Sequence, residues 1–437
     1  MTVHQMLLRP AKKTAGVKVG FDPAIMAHVL EYQKKRMREI QPPTKPVVFE
    51  TKEVINGCPL HSHFGGLDMT TSAGFNCAQT CPASTKKNFF ARDEKTLLWD
   101  IDRSTKHGEQ LFIRWENTLT DAQDGIIPDS MWDVNIKQEI LPNLKNENFK
   151  SRVVWVLPVE DTMLHRAYFG SFVSAYIGDH GVHNSGVGMN PHSSQWDAAI
   201  TRMKSVNPNG WDGDYEGFET IGNSQMFDLF VTKVNYWYEH HAGGSETLHK
   251  DNHIRMSICK MMSDGQFRAN PFFYINPGML SSGGYLTTVF NTEMNETLLA
   301  YSFFAEYAEK YWSSNPSPSA VQVETCWEIF GRCVKALLYG DDIATACGED
   351  ASFFTQLSHH NQMAKCGINF TPSTKTDACS DELKPIEDLT FIGNTTSVRN
   401  FEFAPNRQYW ATPNPRSLLK PITYFKPGDD PLQSFVM

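Results

Sequence analysis

Residues 337–346 read LLYGDDIATA, with two adjacent carboxylates, Asp341 and Asp342, set between runs of apolar and small residues. An ionised carboxylate is costly to bury unless it is paired or holds a metal. The flanking KALLYG and DIATA predict a β-hairpin with a tight turn at Gly340–Asp341. Such a tip projects oxygen ligands from a rigid support, which suits hard cations such as Mg²⁺. Two metals bridged by carboxylates clamp the attacking and leaving oxygens of an in-line phosphoryl displacement, and this needs a further carboxylate from another element. A GDD triplet arises by chance about 0.1 times in a chain of this length, and alone it reads equally well as a solvated turn. The interpretation depends on its companions.

Upstream, WDGDYEGFET (211–220) places Asp214 and Glu219 five residues apart, beside Asp212. On a strand followed by a bend, Asp214 faces the hairpin tip and Glu219 turns towards a bound ribose; the alternative is a solvated acidic loop. NPGMLSSGGYLTTVFNTEMN (276–295) reads as a Ser/Gly loop entering a helix. Thr287 and Asn291, four apart, share a helical face, and small polar groups there suit sugar hydroxyls. Ser282 is equally a candidate N-cap of an ordinary helix. KQEILPNLKNENFKSR (137–152) sets Lys137, Lys145, Lys150 and Arg152 against Glu139 and Glu147. These cations either neutralise a triphosphate or form a solvated basic loop. In NFTPSTKTD (369–377), Lys375 follows a Pro-containing turn and can protonate a pyrophosphate leaving group.

The chain's 437 residues, 41% of them hydrophobic and 12% aromatic, suffice for two or three subdomains around a sizeable core. A formal net charge of -9 argues against a nonspecific nucleic-acid coat protein and still allows a local basic channel. Nine cysteines in no even ladder of spacings read as reduced thiols in a cytosol-like compartment. Neither a signal peptide nor a transmembrane segment is expected. Helices are predicted over 24–40 and 297–312, a buried strand over 153–159, and loop over most of 56–90. No Gly/Ser or Pro-rich linker separates independent domains, so one continuous α+β body is expected. Cys58, His61, His63, Cys77 and Cys81 form a candidate zinc set, for which buried thiols and surface histidines are the simpler account. His240, His241, His249 and His253 read as a loop rather than a site.

In this order and spacing, the stretches resemble the RNA-dependent RNA polymerases of picornavirus-like positive-strand RNA viruses, over about residues 50–398. DYEGFE resembles motif A, which implies metal binding by Asp214. It also puts Glu219 at the position that helps select a ribose 2′-OH, where the family usually has Asp. SGGYLTTVFN resembles the motif B pattern SGxxxTxxxN through Ser282, Gly283, Thr287 and Asn291, with Ser281 in place of the usual Pro. YGDD resembles motif C, making Asp341 the second metal ligand and Asp342 a supporting carboxylate. TPSTK is similar to motif D, which implies Lys375 as general acid. KQE…KSR resembles motif F and carries over Lys137, Glu139, Lys150 and Arg152, with Leu141 where an inner arginine often stands. TSAGF (71–75) resembles motif G, whose Thr71, Ser72 and Gly74 would guide the template, with Lys86, Lys87 and Arg92 as further contacts. LTFIGN (389–394) resembles motif E, with Gly393 and Asn394 replacing its basic pair, and VGMNPHSSQW (187–196) resembles the lead-in to motif A.

The resemblance implies an α+β right-hand polymerase with fingers, palm and thumb, the GDD hairpin lying on an antiparallel palm sheet. It divides the chain into fingers (1–170), a first palm part (171–240), a fingers insertion (241–277), a second palm part (278–398) and a short or truncated thumb (399–437). It implies RNA-directed nucleotidyl transfer from NTPs to an RNA or protein-linked primer, with two Mg²⁺ ions, or Mn²⁺ as substitute. The implied partners are RNA template and primer, NTPs, a genome-linked protein primer and other viral replication proteins. The implied setting is the host cytoplasm, in membrane-associated replication complexes. The competing readings are a reverse transcriptase, since YGDD also fits YxDD, and a noncatalytic, polymerase-derived RNA-binding scaffold. Glu219 and Asn291 point to ribose acceptance against the first, and intact Asp214, Asp341 and Asp342 against the second.

Overall fold

The computed structural model describes residues 7–8, 19–81, 85–128, 130–137, 152–179, 184–222, 224–244, 247–276, 278–312, 318–375, 378–402 and 404–415. Helix α1 (Pro23–Met37) starts where the Asp22 carboxylate accepts from the amides of Ala24 and Ile25 and Pro23 pre-sets the first turn. Short helices α2 (Thr51–Asn56) and α3 (Phe75–Thr80) and the pair β1 (Phe90–Arg92) and β2 (Trp99–Ile101) lead to α4 (Lys106–Gln123). Most of the described part of 56–90 is loop, as expected, broken by α3. Strands β3 (Met131–Ile136) and β4 (Val153–Val156) precede α5 (Val159–Gly178). The apolar run from 153 ends as a strand at Val156, because Pro158 cannot donate to a ladder and caps α5 instead. Helix α5 is buried on nearly all sides, so it runs through the core rather than along its surface.

Helix α6 (Ser194–Lys204), β5 (Asn209–Tyr215), α7 (Ser224–Ala242), α8 (Leu248–Asp264) and the hairpin β6 (Gln266–Ala269)–β7 (Phe272–Ile275) follow. The four histidines expected in a loop lie on α7 and α8 instead, among apolar residues at helical spacing. The chain continues through α9 (Thr287–Tyr311), α10 (Ala320–Cys333), β8 (Val334–Tyr339), β9 (Asp342–Cys347) and α11 (Gln356–Lys365). It then forms β10 (Phe370–Thr371), β11 (Lys384–Pro385), β12 (Asn394–Val398) and β13 (Tyr409–Pro413). The helix expected to follow the Ser/Gly loop from Thr287 and the helix expected over 297–312 are one continuous helix, α9. Ser282 is not its N-cap, since Leu286 holds that place. Thr287 Oγ1 closes the first turn by accepting from the Gly284 amide at 3.0 Å and donating to the Ser281 carbonyl at 2.8 Å.

The central sheet has the order β10-β5-β9-β8, with β11 also on β5, and is antiparallel throughout. A second sheet has the order β4-β3-β6-β7. The central sheet is covered on both faces. Ala336, Leu338 and Ile343 face the main core, whereas Leu337, Ala344 and Ala346 face a smaller core built on Trp196, Ile200 and Met203 of α6. Both faces being buried explains why the hairpin reads as continuous apolar runs rather than alternating ones. Full burial of each leucine stabilises the hairpin by about 1.5–3 kcal/mol.

Candidate active site at the β8–β9 turn

Tyr339 pairs with Asp342, so Gly340 and Asp341 form a two-residue turn. Gly340 has φ 60° with open space around it, so the backbone conformation rather than crowding calls for glycine. Helix α9 bolts this turn in place. Thr292 Oγ1 accepts from the Gly340 amide at 3.0 Å, and the Asn295 side chain donates to the carbonyls of Gly340 (3.0 Å) and Asp342 (3.2 Å). Neither residue was singled out by motif; their signal was position, one to four residues after Asn291 on the same helix.

On the neighbouring strand, Gly213 lies opposite Ile343, so the next residue, Asp214, comes level with Asp342 one strand spacing away, about 4.8 Å. On its other side Asp214 pairs with Thr371 of β10. Gly213 has to be glycine, because a Cβ there would meet the Phe370 ring at 2.0 Å. Lys375 follows a turn in which its amide donates to the Pro372 carbonyl, and its ammonium ion-pairs with Asp214.

The charges respond to this crowding. Partial desolvation pushes Asp341 up to about 6 and Asp342 up to about 7; the like charge of Asp214 adds to both, and Asp341 adds to Asp342. Desolvation acts to lower the Lys375 ammonium, but its hydrogen bond to Asp214 and the three carboxylate charges more than offset this and hold it above its ordinary value. Three carboxylates against one ammonium leave an excess of hard oxygen donors, the donor set that divalent cations such as Mg²⁺ take. Among the described residues no three His, Cys, Asp or Glu side chains are already gathered into a metal cage, here or at the cysteine-rich stretch. At the turn the Lys375 ammonium takes up one oxygen of Asp214.

The loop before α9 borders the same floor. Gly283 is pressed so closely on β4 that a Cβ would lie 1.7 Å from the Trp155 carbonyl oxygen, and exposed Ser282 sits beside it. The Leu280 amide donates to the Glu219 carbonyl at 3.0 Å, which joins this loop to the bend after β5. The Glu219 charge reaches Asp341. The Oδ1 atom of Asn291 is buried and has no hydrogen-bond partner among the described residues. Lys137 and Arg152 are exposed and adjoin where the Lys137 amide meets the Arg152 carbonyl at 2.9 Å. Lys145, Lys150, Glu139, Leu141 and Glu147 lie outside the described residues.

Thr71, Ser72 and Gly74 form a loop fastened to the start of α5 by the Val159 amide on the Ala73 carbonyl. The Lys86 ammonium donates to Thr71 Oγ1 and, at 2.9 Å, to the Ser72 carbonyl. Lys86 is therefore a buried brace for this loop rather than a free phosphate contact; Lys87 and Arg92 remain exposed. In the cysteine-rich stretch, His61 bonds to Thr44, and Arg114 donates to the buried Cys77 sulfur at 3.1 Å. Burial pushes that thiol up to about 12.

Comparison with known proteins agrees with this geometry. A family model described as viral RNA-dependent RNA polymerase matches residues 19–431. The RNA1 polyprotein of Tomato torrado virus is 23% identical over 391 residues, covering 88% of this chain and 17% of the polyprotein. The genome polyprotein of Rice tungro spherical virus (strain Vt6) is 24% identical over 353 residues, covering 77% and 9%. The replicase polyprotein of Acute bee paralysis virus is 21% identical over 380 residues, covering 84% and 18%. The chain thus spans less than a fifth of these relatives' length. A solved structure described as Sicinivirus 3Dpol RNA dependent RNA polymerase superposes with a TM-score of 0.74 at 18% identity, covering 99% of this chain and 79% of that one. The likeness establishes the right-hand fold expected from the motifs.

Proposed function

Because the chain belongs to the viral RNA-dependent RNA polymerase family, we propose that its β8–β9 turn catalyses template-directed nucleotidyl transfer from NTPs to an RNA primer. The observation that carries this reading is the register of the central sheet. It brings Asp214 level with Asp342 beside the turn that presents Asp341, and the Asp214 charge acts on both Asp341 and Asp342.

The reaction forms a bond between the primer 3′-oxygen and the α-phosphorus of an NTP and breaks the bridge to the β-phosphate. Asp214 and Asp341 would hold two divalent ions, Mg²⁺ or Mn²⁺, with Asp342 in support. When bound, such ions lower the pKa of the attacking hydroxyl and stabilise charge on the phosphoryl oxygens. Lys375 would give its proton to the departing pyrophosphate. Arg152 and Lys137, with Lys150, would neutralise the triphosphate. Asn291 Oδ1, without a partner among the described residues, is suited to accept from a ribose hydroxyl; Ser282 and Glu219 would contribute to the same recognition, with Gly283 and Thr287 fixing the loop. Thr71, Ser72 and Gly74 would guide the template.

The test is Mg²⁺-dependent extension of a primed RNA template by wild type and Asp341→Ala. The expected result is NTP incorporation by the wild type and a loss of at least about 10³-fold in the variant, roughly 4 kcal/mol of barrier. Near-normal extension by the variant would refute the metal-ligand role of Asp341, and preference for dNTPs would favour reverse transcription.

A further inference from the structure

The ladder between β5 and β9 pairs Trp211 with Thr345, Asp212 with Ala344 and Gly213 with Ile343, and it stops one residue short of Asp214. No backbone pair of that ladder ties the strand end bearing Asp214 to the turn bearing Asp341. A chain of buried polar side chains spans this gap. Asn295 grips the turn through the carbonyls of Gly340 and Asp342. Its Oδ1 lies 3.3 Å from the hydroxyl of Tyr215, the neighbour of Asp214. That hydroxyl is 3.0 Å from Nε2 of His359 on α11, whose Nδ1 is 2.6 Å from the Ser302 hydroxyl, back on α9. Asn295, His359 and Ser302 are fully buried and Tyr215 nearly so.

Counting protons fixes the direction of the chain. Asn295 spends both of its N–H groups on the turn, so its Oδ1 has to accept, and the Tyr215 hydroxyl supplies that proton. The Tyr215 oxygen then accepts from His359, which therefore carries its proton on Nε2. Burial, helped by the neighbouring His360 charge, holds the imidazole neutral and lowers it to about 3. Nδ1 is then bare and takes the Ser302 proton. Ser302 has a rival acceptor, the Leu299 carbonyl at 2.9 Å. If Ser302 turned there, the imidazole would donate from Nδ1, Tyr215 would donate to Nε2, and Asn295 Oδ1 would lose its donor.

We infer that Ser302, His359 and Tyr215 form a positioning relay that orients Asn295 and thereby fixes the Gly340–Asp342 backbone against the Asp214 strand end, with His359 as its Nε2–H tautomer. The relay touches no reacting atom. Its consequence for metal spacing rests on the reading of Asp214 and Asp341 as metal ligands.

Tyr215→Phe removes one hydroxyl and nothing else. Mn²⁺ serves as the probe, because its free-ion paramagnetic resonance signal falls as it binds. In Tyr215→Phe, Mn²⁺ affinity is expected to weaken about tenfold, the worth of one well-placed hydrogen bond. The kcat for primer extension should fall by a similar factor while KM for NTP stays within about twofold. Nitrogen-15 shifts of the wild-type His359 ring should report a proton on Nε2. If Tyr215→Phe does not fold, Ser302→Ala removes the far end of the relay and is expected to weaken Mn²⁺ about threefold and mix the tautomers. A folded variant with wild-type Mn²⁺ affinity, or an Nδ1–H ring in the wild type, would overturn the relay. A wild type that binds Mn²⁺ at this site but extends no primer would refute the polymerase reading, while the Mn²⁺ comparison would still decide the relay.

Discussion

Lys375 and Asp214 form an ion pair on the floor of the candidate active site. The lysine reaches Asp214 from a backbone at φ 58°, in the left-handed region that a residue with a Cβ adopts at a cost. The pair puts a protonated amine against one proposed metal ligand, as the proposed general-acid role requires. Lys375→Met is expected to lower kcat by roughly 10²-fold, the usual worth of a general acid, with little change in Tm. Lys375→Arg keeps the charge but cannot release a proton near neutral pH, so it should be nearly as slow. An arginine variant with wild-type rates in primer extension would reduce the lysine's role to electrostatics.

The raised carboxyls make metal binding depend on pH. Asp341 titrates near 6 and Asp342 near 7, both above their ordinary range. Metal takes the ionised forms, so Mn²⁺ or Mg²⁺ affinity should be full above about pH 8 and fall as pH drops through 7 and 6. Stability runs the other way. A carboxyl raised in the folded state binds more protons there than in the unfolded chain, so without metal these groups cost stability as pH rises from about 4 to 7. Asp341→Asn is therefore expected to raise the metal-free Tm at pH 8 and leave it nearly unchanged at pH 4. Thermal unfolding at the two pH values checks the sign.

Gly283 sits where any side chain would collide with the Trp155 carbonyl. Gly283→Ala has to push the loop before α9 off β4, at a cost of about 1–3 kcal/mol. The same displacement moves Ser282 and the Asn291 face, so KM for NTP should rise more than kcat falls. Steady-state extension kinetics with denaturation of the same variant would separate the two effects.

Away from the site, Lys233 on α7 ion-pairs with Glu293 on α9 at 2.5 Å, and both side chains are shut off from solvent. Glu296 is buried near them and is pushed up to about 7, by desolvation first and the Glu293 charge second. Lys233→Met leaves the two acids without this partner and should cost about 3–5 kcal/mol at pH 8. The loss should shrink at pH 6, where Glu296 neutralises and no longer repels Glu293. A urea midpoint that did not improve on acidification would contradict this charge assignment.

The hairpin was legible because its apolar runs, its glycine and its paired acids meet within ten residues. Asp214 was legible because motif spacing singles out a strand end. The distance between strands is where sequence reading stopped. Asn295, Tyr215 and His359 lie far apart in the chain, and each looks like an ordinary core or helix residue until α9, β5 and α11 pack together. Lys86 was misjudged for the same reason: a lysine after a loop suggests a phosphate contact, and only the fold turns its ammonium inward onto Thr71 and Ser72. The two helical stretches, from Thr287 and over 297–312, were legible, but their union into one helix was not, because the buried surface of α9 runs all the way round and blurs the periodicity.

The most direct test of the central claim is a crystal structure of the protein with Mn²⁺, in which anomalous scattering locates the ion. The account predicts an anomalous peak about 2.2 Å from carboxylate oxygens of both Asp214 and Asp341, with the Lys375 ammonium moved off Asp214. A fully occupied ion held by one of these strands alone, or bound elsewhere with the Lys375–Asp214 pair intact, would contradict it.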